Sequence, residues 1–168
     1  HPSARLVTGR DPRSPVSEAY RSLRTNITFS NPDHPPQTLL FTSALPEDGK
    51  STTSSNLAIT LVQQGSRVLL IDADLRRGLL HVAFDVKNAP GLSEVLIGQA
   101  ALAEAVQTIS VGEDEDHVLK LLPTGTLPPN PAELLGSKRM EVVLAQLATN
   151  FDTIIIDAPP LTVVTDAA

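Results

Sequence analysis

The chain is predicted to be an α/β domain, a parallel sheet with helices on both faces, and three observations carry that expectation. Short apolar runs at residues 38–42, 67–71, 118–122 and 153–156 alternate with longer stretches of helical periodicity, the order expected when helices cross over between parallel strands. The run Arg67-Val68-Leu69-Leu70-Ile71 is apolar on both of its faces, as strands covered on both sides are. Three segments rich in glycine, lysine, hydroxyl or carboxylate groups follow such runs, at the carboxyl ends of strands where open α/β sheets bind ligands.

The elements follow in order. Residues 1–13, rich in Pro, Arg and Ser, read as a flexible lead-in, and residues 14–168 as one domain. Ser14-Pro15 marks a helix start, a side-chain oxygen cap followed by a proline suited to the first turn. Val16, Tyr20, Leu23 and Ile27 then recur on one stripe. Three prolines within residues 31–36 end that helix. The strand 38–42 leads through a polar turn, 44–49, into a helix from about Ser51 to Gln64 closed by Gly65. The strand at 67–71 follows. Residues 91–109 read as two short helices, 118–122 as a strand, and Pro131 opens a helix running to about Thr149. Thr153 to Ile156 is the last strand, followed by Asp157-Ala158-Pro159-Pro160.

Composition narrows the function. With 168 residues, 41% of them hydrophobic, the chain can bury a core of one domain. A net charge of −6 argues against a general nucleic-acid binder. It leaves anionic ligands open, because oriented amides and one lysine act locally. There is no cysteine, and the four histidines (His1, His34, His81, His117) are scattered, so thiolate and zinc chemistry are not expected. No apolar run reaches the ~20 residues of a membrane span. The first residue is His1 rather than methionine, so a piece of a longer protein is expected, with any membrane anchor elsewhere.

The segment Ala44-Leu45-Pro46-Glu47-Asp48-Gly49-Lys50-Ser51-Thr52, between a strand and a helix, suits a loop that wraps phosphate. Gly49 lets the backbone approach an anion, Lys50 supplies a flexible cation, and the Ser51 hydroxyl suits Mg²⁺. The helix that starts there adds the positive end of its dipole. Ala44 departs from the usual glycine at the first position of this pattern. Nucleotide contacts are therefore expected from Pro46, Glu47, Asp48, Gly49, Lys50, Ser51 and Thr52, with ATP or ADP and Mg²⁺ as ligands.

Two further strand ends carry acids. Leu69-Leu70-Ile71-Asp72-Ala73-Asp74-Leu75-Arg76 places two carboxylates past one strand, and Ile154-Ile155-Ile156-Asp157 places one past another. Mg²⁺ bound with phosphates needs only one or two carboxylates, so Ser51, Asp72 and Asp157 are the candidate metal ligands. A nearby acid also takes a proton from an attacking hydroxyl. Lys50, Asp72 and Asp74 are the candidate catalytic residues; for both aspartates the alternative is a turn-bracing role. Arg76 either touches phosphate or pairs with Asp74.

With these residues in hand, the chain resembles the bacterial tyrosine kinases of capsule and exopolysaccharide synthesis. That family is similar in its Walker A loop without the first glycine, in a D-x-D-x-R motif matched by Asp72, Asp74 and Arg76, and in a Walker B run ending D-x-P-P, matched by Asp157 to Pro160. Glu18, Arg21 and Arg24 resemble its E-x-x-R-x-x-R helix, which implies ring-like self-association. Taken alone, that spacing also fits a solvated face with local ion pairs. Pro128-Pro129-Asn130-Pro131-Ala132-Glu133-Leu134-Leu135 is similar too. The resemblance implies an ATP-dependent kinase that phosphorylates tyrosines of itself and other proteins and regulates polysaccharide polymerisation and export. It implies a cytoplasmic place at the inner face of the membrane, through a fused or separate membrane activator. It also implies further strands and a tyrosine-rich tail beyond Ala168, so the C-terminal part of the domain is expected to be truncated here.

Two other readings remain open at this point. One is a partition- or division-type ATPase switch, whose signature lysine would stand at position 45, occupied here by leucine. The other is a catalytically idle subunit that binds nucleotide to set assembly. The absence of H-R-D and D-F-G motifs sets eukaryotic-type kinases aside.

Overall fold

The computed structural model of the chain describes residues 11–42, 50–112 and 116–159. In chain order these form α1 (Pro15–Phe29), β1 (Thr38–Phe41), α2 (Lys50–Gln63), β2 (Val68–Asp72), α3 (Leu80–Phe84), α4 (Leu92–Leu96), α5 (Leu102–Ala105), β3 (Gln107–Ser110), β4 (Val118–Leu122), α6 (Pro131–Leu135), α7 (Lys138–Ala148) and β5 (Thr153–Asp157). The strands make one sheet of order β1-β5-β2-β4-β3. Its first four members run parallel, as the alternation of elements predicts.

Strand pleating explains why both faces are covered. Side chains along β2 alternate, so Leu69 and Ile71 join one core while Val68 and Leu70 join the other. The first core gathers Leu92, Val95 and Leu96 of α4, Leu134 of α6, and Met140, Val143 and Leu147 of α7. The second is closed by Leu57 to Val62 of α2, Leu80 of α3, and the partly buried Leu23 and Ile27 of α1. α1 begins as expected: the Ser14 hydroxyl accepts the Ser17 N–H at 3.1 Å, with Pro15 in the first turn. The start of its apolar stripe is uncovered, with Val16 51% exposed, while Tyr20, Leu23 and Ile27 are half-buried. Gly65, at φ +100°, ends the α2 segment in a conformation that disfavours other residues.

Two expectations are corrected. The paired helices read over residues 91–109 are present as α4 and α5, but the last residues form β3, antiparallel to β4. Ile109 faces the α2-side core opposite Leu119, and sheet pairing overrides local preference there. The single helix read from Pro131 to about Thr149 is two helices. Ser137 breaks it by accepting the Met140 N–H at 3.2 Å and so capping α7.

Candidate functional site

Parallel register places the strand ends together. Asp72 of β2 stands directly beside Asp157 of β5, and Phe41 of β1 stands on the other side of Asp157. α2 begins at this same corner. The Lys50 ammonium lies 2.6 Å from Asp157 Oδ1, and the Ser51 hydroxyl donates to Asp157 Oδ2 at 2.6 Å. Lys50, Ser51, Asp72 and Asp157, drawn from three separated segments, therefore converge.

The electrostatics of this corner are unusual. Asp72 is 1% exposed, and its carboxyl is pushed up to about 7, first by burial and then by the neighbouring Asp157. The Leu80 and Asp74 N–H groups, at 3.1 and 3.2 Å, oppose that shift without cancelling it. The Asp157 carboxyl is also raised, because burial outweighs the Lys50 ammonium and the Ser51 hydroxyl. Two adjacent carboxyls in a dry site resist double ionisation. An acid that titrates near neutrality is suited to accept a proton and then release it.

The other predicted residues fall in different places. Asp74 is half-buried and turns back on its own loop, its Oδ1 accepting the Arg77 N–H at 3.0 Å and the Arg76 N–H at 3.3 Å. That is the bracing arrangement. Arg76 is exposed beside it. Thr52 is half-buried, its carbonyl accepting from Asn56 Nδ2 at 2.9 Å. Pro46, Glu47, Asp48 and Gly49 lie outside the described residues. On α1, Arg21 pairs with Glu18 at 2.7 Å, and Arg24 donates to the Thr60 carbonyl of α2 at 3.3 Å.

Two residues at the corner escaped sequence reasoning. A Cβ on Gly78 would lie 1.7 Å from Thr124 Oγ1 and 2.8 Å from Asp72 Oδ2, so only glycine passes there. Thr124, fully buried after β4, rests against the same loop. Neither sits in a local motif; both are close to Asp72 only through the fold.

The donor set fits Mg²⁺. It is a hydroxyl plus carboxylates with no nitrogen or sulfur, the hard-oxygen chemistry that Mg²⁺ prefers, with phosphate and water completing the shell. Among the described residues no cluster of three or more His, Cys, Asp or Glu forms a metal cage of its own.

The AAA domain family matches residues 48–168. The tyrosine-protein kinase YwqD of Bacillus subtilis is 45% identical over 96% of this chain. The crystal structure of the chimerical protein CapA2B2 superposes with a TM-score of 0.89 at 38% identity, covering 98% of this chain and 70% of that one. The kinase domain of Escherichia coli tyrosine kinase ETK gives 0.89 at 37% identity, over 96% of this chain and 62% of that one. This chain belongs to the AAA domain family, and relatives named tyrosine-protein kinases match it over most of its length. It spans 66% of the length of YwqD. The division-site ATPase reading is only a distant likeness: MinD of Pyrococcus horikoshii, solved with Mg-ADP, gives a TM-score of 0.61 at 26% identity, over 74% of this chain and 49% of that one. No helix among the described residues is long and apolar enough to cross a membrane.

Proposed function

We propose that the protein transfers the γ-phosphoryl group of ATP to tyrosine hydroxyls, on itself and on other proteins, and so regulates capsular or exopolysaccharide polymerisation and export. The observation that carries this reading is the convergence of Lys50, Ser51 and Asp157 in one hydrogen-bonded group beside the buried Asp72, in a chain whose relatives are tyrosine kinases. Ser51 and Asp157 would hold Mg²⁺, with Asp72 as the further carboxylate beside them. When bound, Mg²⁺ supplies positive charge to the phosphate oxygens. Lys50 neutralises phosphate at the start of α2. Asp72 accepts the tyrosyl proton as the new O–P bond forms and the bond to the ADP oxygen breaks, then returns the proton to water. Positioning and charge neutralisation supply most of the acceleration, since phosphoryl transfer has a loose transition state. Asp74 and Arg76 shape the loop that carries Asp72.

Self-association in a ring is assigned to the face of α1 that carries Glu18 and Arg21, with Arg24 fastening α1 to α2 behind them. A membrane activator, fused or separate, would hold the domain at the inner face of the membrane.

Incubating the full-length protein with γ-labelled ATP and Mg²⁺ tests the reading. Label on phosphotyrosine is expected. Free phosphate without protein label would favour an ATPase switch. Nucleotide-dependent oligomer size with neither product would favour an idle assembly subunit.

A further inference from the structure

The loop after β4 is locked to a second loop by a dense set of hydrogen bonds. The carbonyls of Pro123 and Thr124 accept the N–H groups of Leu92 (2.7 Å) and Ser93 (2.9 Å). Asn88 grips both sides of Gly125, accepting its N–H at 3.1 Å and donating to its carbonyl at 2.7 Å. Glu94 accepts the Thr126 N–H at 3.2 Å and the Gly91 N–H at 3.0 Å. Ser93 Oγ lies 2.7 Å from the Thr126 carbonyl. The loop also has no slack: Gly125 sits at φ +84°, and a Cβ there would lie 2.5 Å from Glu94 Oε1 and Ser93 Oγ. Four consecutive residues, 123–126, are thus fixed as a rigid mount.

From that mount Thr124 faces the acidic loop. Its side chain is fully buried, and its hydroxyl is shared between the carbonyls of Asp72 (3.4 Å) and Asp74 (3.5 Å). Gly78 closes against both Thr124 and the Asp72 carboxylate. We propose that Thr124 is a positioning residue for phosphoryl transfer, setting the place of the Asp72 backbone and carboxylate, with the segment 88–94 as its anchor. The inference rests on the reading of Asp72 as the proton acceptor. Each bond from Thr124 is long and individually weak. The effect comes from a buried donor that nothing else replaces: a methyl in its place fits at these distances but takes the hydroxyl proton away from both carbonyls, so the loop is no longer tied to its mount. A shift of a fraction of an ångström in a reacting group is enough to cost rate while leaving nucleotide binding at Lys50 and Ser51 intact.

The test compares Thr124→Val, Thr124→Ser and Asp72→Asn in the full-length protein, reading kcat for tyrosine phosphorylation and the Kd for a fluorescent ATP analogue. Thr124→Val is expected to lower kcat roughly tenfold with Kd changed less than about twofold, and Thr124→Ser to stay within about threefold of the parent. Thr124→Val at the parent rate, with Asp72→Asn impaired, would overturn the positioning inference alone. Equal losses in Thr124→Val and Thr124→Ser, or a loss of Kd in step with kcat, would mark a purely structural contact and overturn it too. Full activity in Asp72→Asn would overturn the reading of Asp72 and this inference with it. If Thr124→Val does not fold, Thr124→Ala is judged by the same criteria.

Discussion

The two ends of the β2–β5 pair treat charge in opposite ways. At the amino ends, Arg67 and Asp152 face each other in solvent, joined at 3.0 Å between Arg67 Nη2 and Asp152 Oδ1 and at 2.8 Å from the Arg67 N–H. Each eases the ionisation of the other: the Asp152 carboxyl is held below its usual range by Arg67, and the guanidinium is raised by Asp152. At the carboxyl ends the same two strands bury like charges, Asp72 and Asp157, side by side at 1% exposure each, and both are raised by burial. The first arrangement satisfies its groups where they stand. The second holds groups in states they would not choose in water, which folding alone gives no reason to keep. Such perturbed, clustered acids mark functional sites.

Four substitutions sharpen that contrast. Lys50→Met, removing the cation that meets Asp157 at the buried end, is expected to lower kcat for tyrosine phosphorylation by on the order of 10³ or more. Parent-like turnover in the full-length variant would break the link between this corner and catalysis. Asp157→Ala is expected to weaken the apparent affinity for Mg²⁺ by about 100-fold, read from the Mg²⁺ dependence of the rate. An unchanged Mg²⁺ requirement would remove Asp157 from the metal site.

The third concerns pH. Asp72 is raised from 3.8 to about 7 in the folded chain, so it favours folding at low pH and loses that advantage as pH climbs through this window. Asp72→Asn has no proton to lose. In chelator-treated samples its Tm is expected to fall less than the parent's between about pH 5 and pH 8, by several degrees. Parallel Tm curves would mean that Asp72 ionises as an ordinary aspartate. Smallest of all, Arg67→Ala at the exposed end is expected to leave kcat unchanged and Tm within about 2 °C; a large loss of either would erase the contrast.

What could be read in the sequence was what short-range chemistry determines. The Ser14-Pro15 cap, the doubly apolar β2, the apolar run of β5, the Gly65 stop and the acids at strand ends each follow from a few adjacent residues. The parts that could not be read depend on distant partners. Gln107 to Ser110 carry only a faint alternation and become strand because β4 lies alongside. Ser137 looks like an ordinary helical serine until its hydroxyl captures the Met140 N–H. Asp72 and Asp74 look alike in sequence, two residues apart past one strand. Both carboxylates accept N–H groups of the loop that follows, and only the fold separates them, burying Asp72 beside Asp157 and leaving Asp74 half-buried. Gly78 and Thr124 have no local signature, since what matters about them is the space between two loops. For Arg24, the resemblance implied a docking role; in the fold its guanidinium donates to the Thr60 carbonyl and so ties α1 to α2.

The most direct measurement is a crystal structure of the full-length protein with a non-hydrolysable ATP analogue and Mg²⁺. The metal is expected on Ser51 and Asp157, with Lys50 turned onto the phosphates and the Asp72 carboxylate facing the terminal phosphoryl group. A nucleotide bound away from the carboxyl ends of β2 and β5, or a metal touching none of these residues, would contradict it.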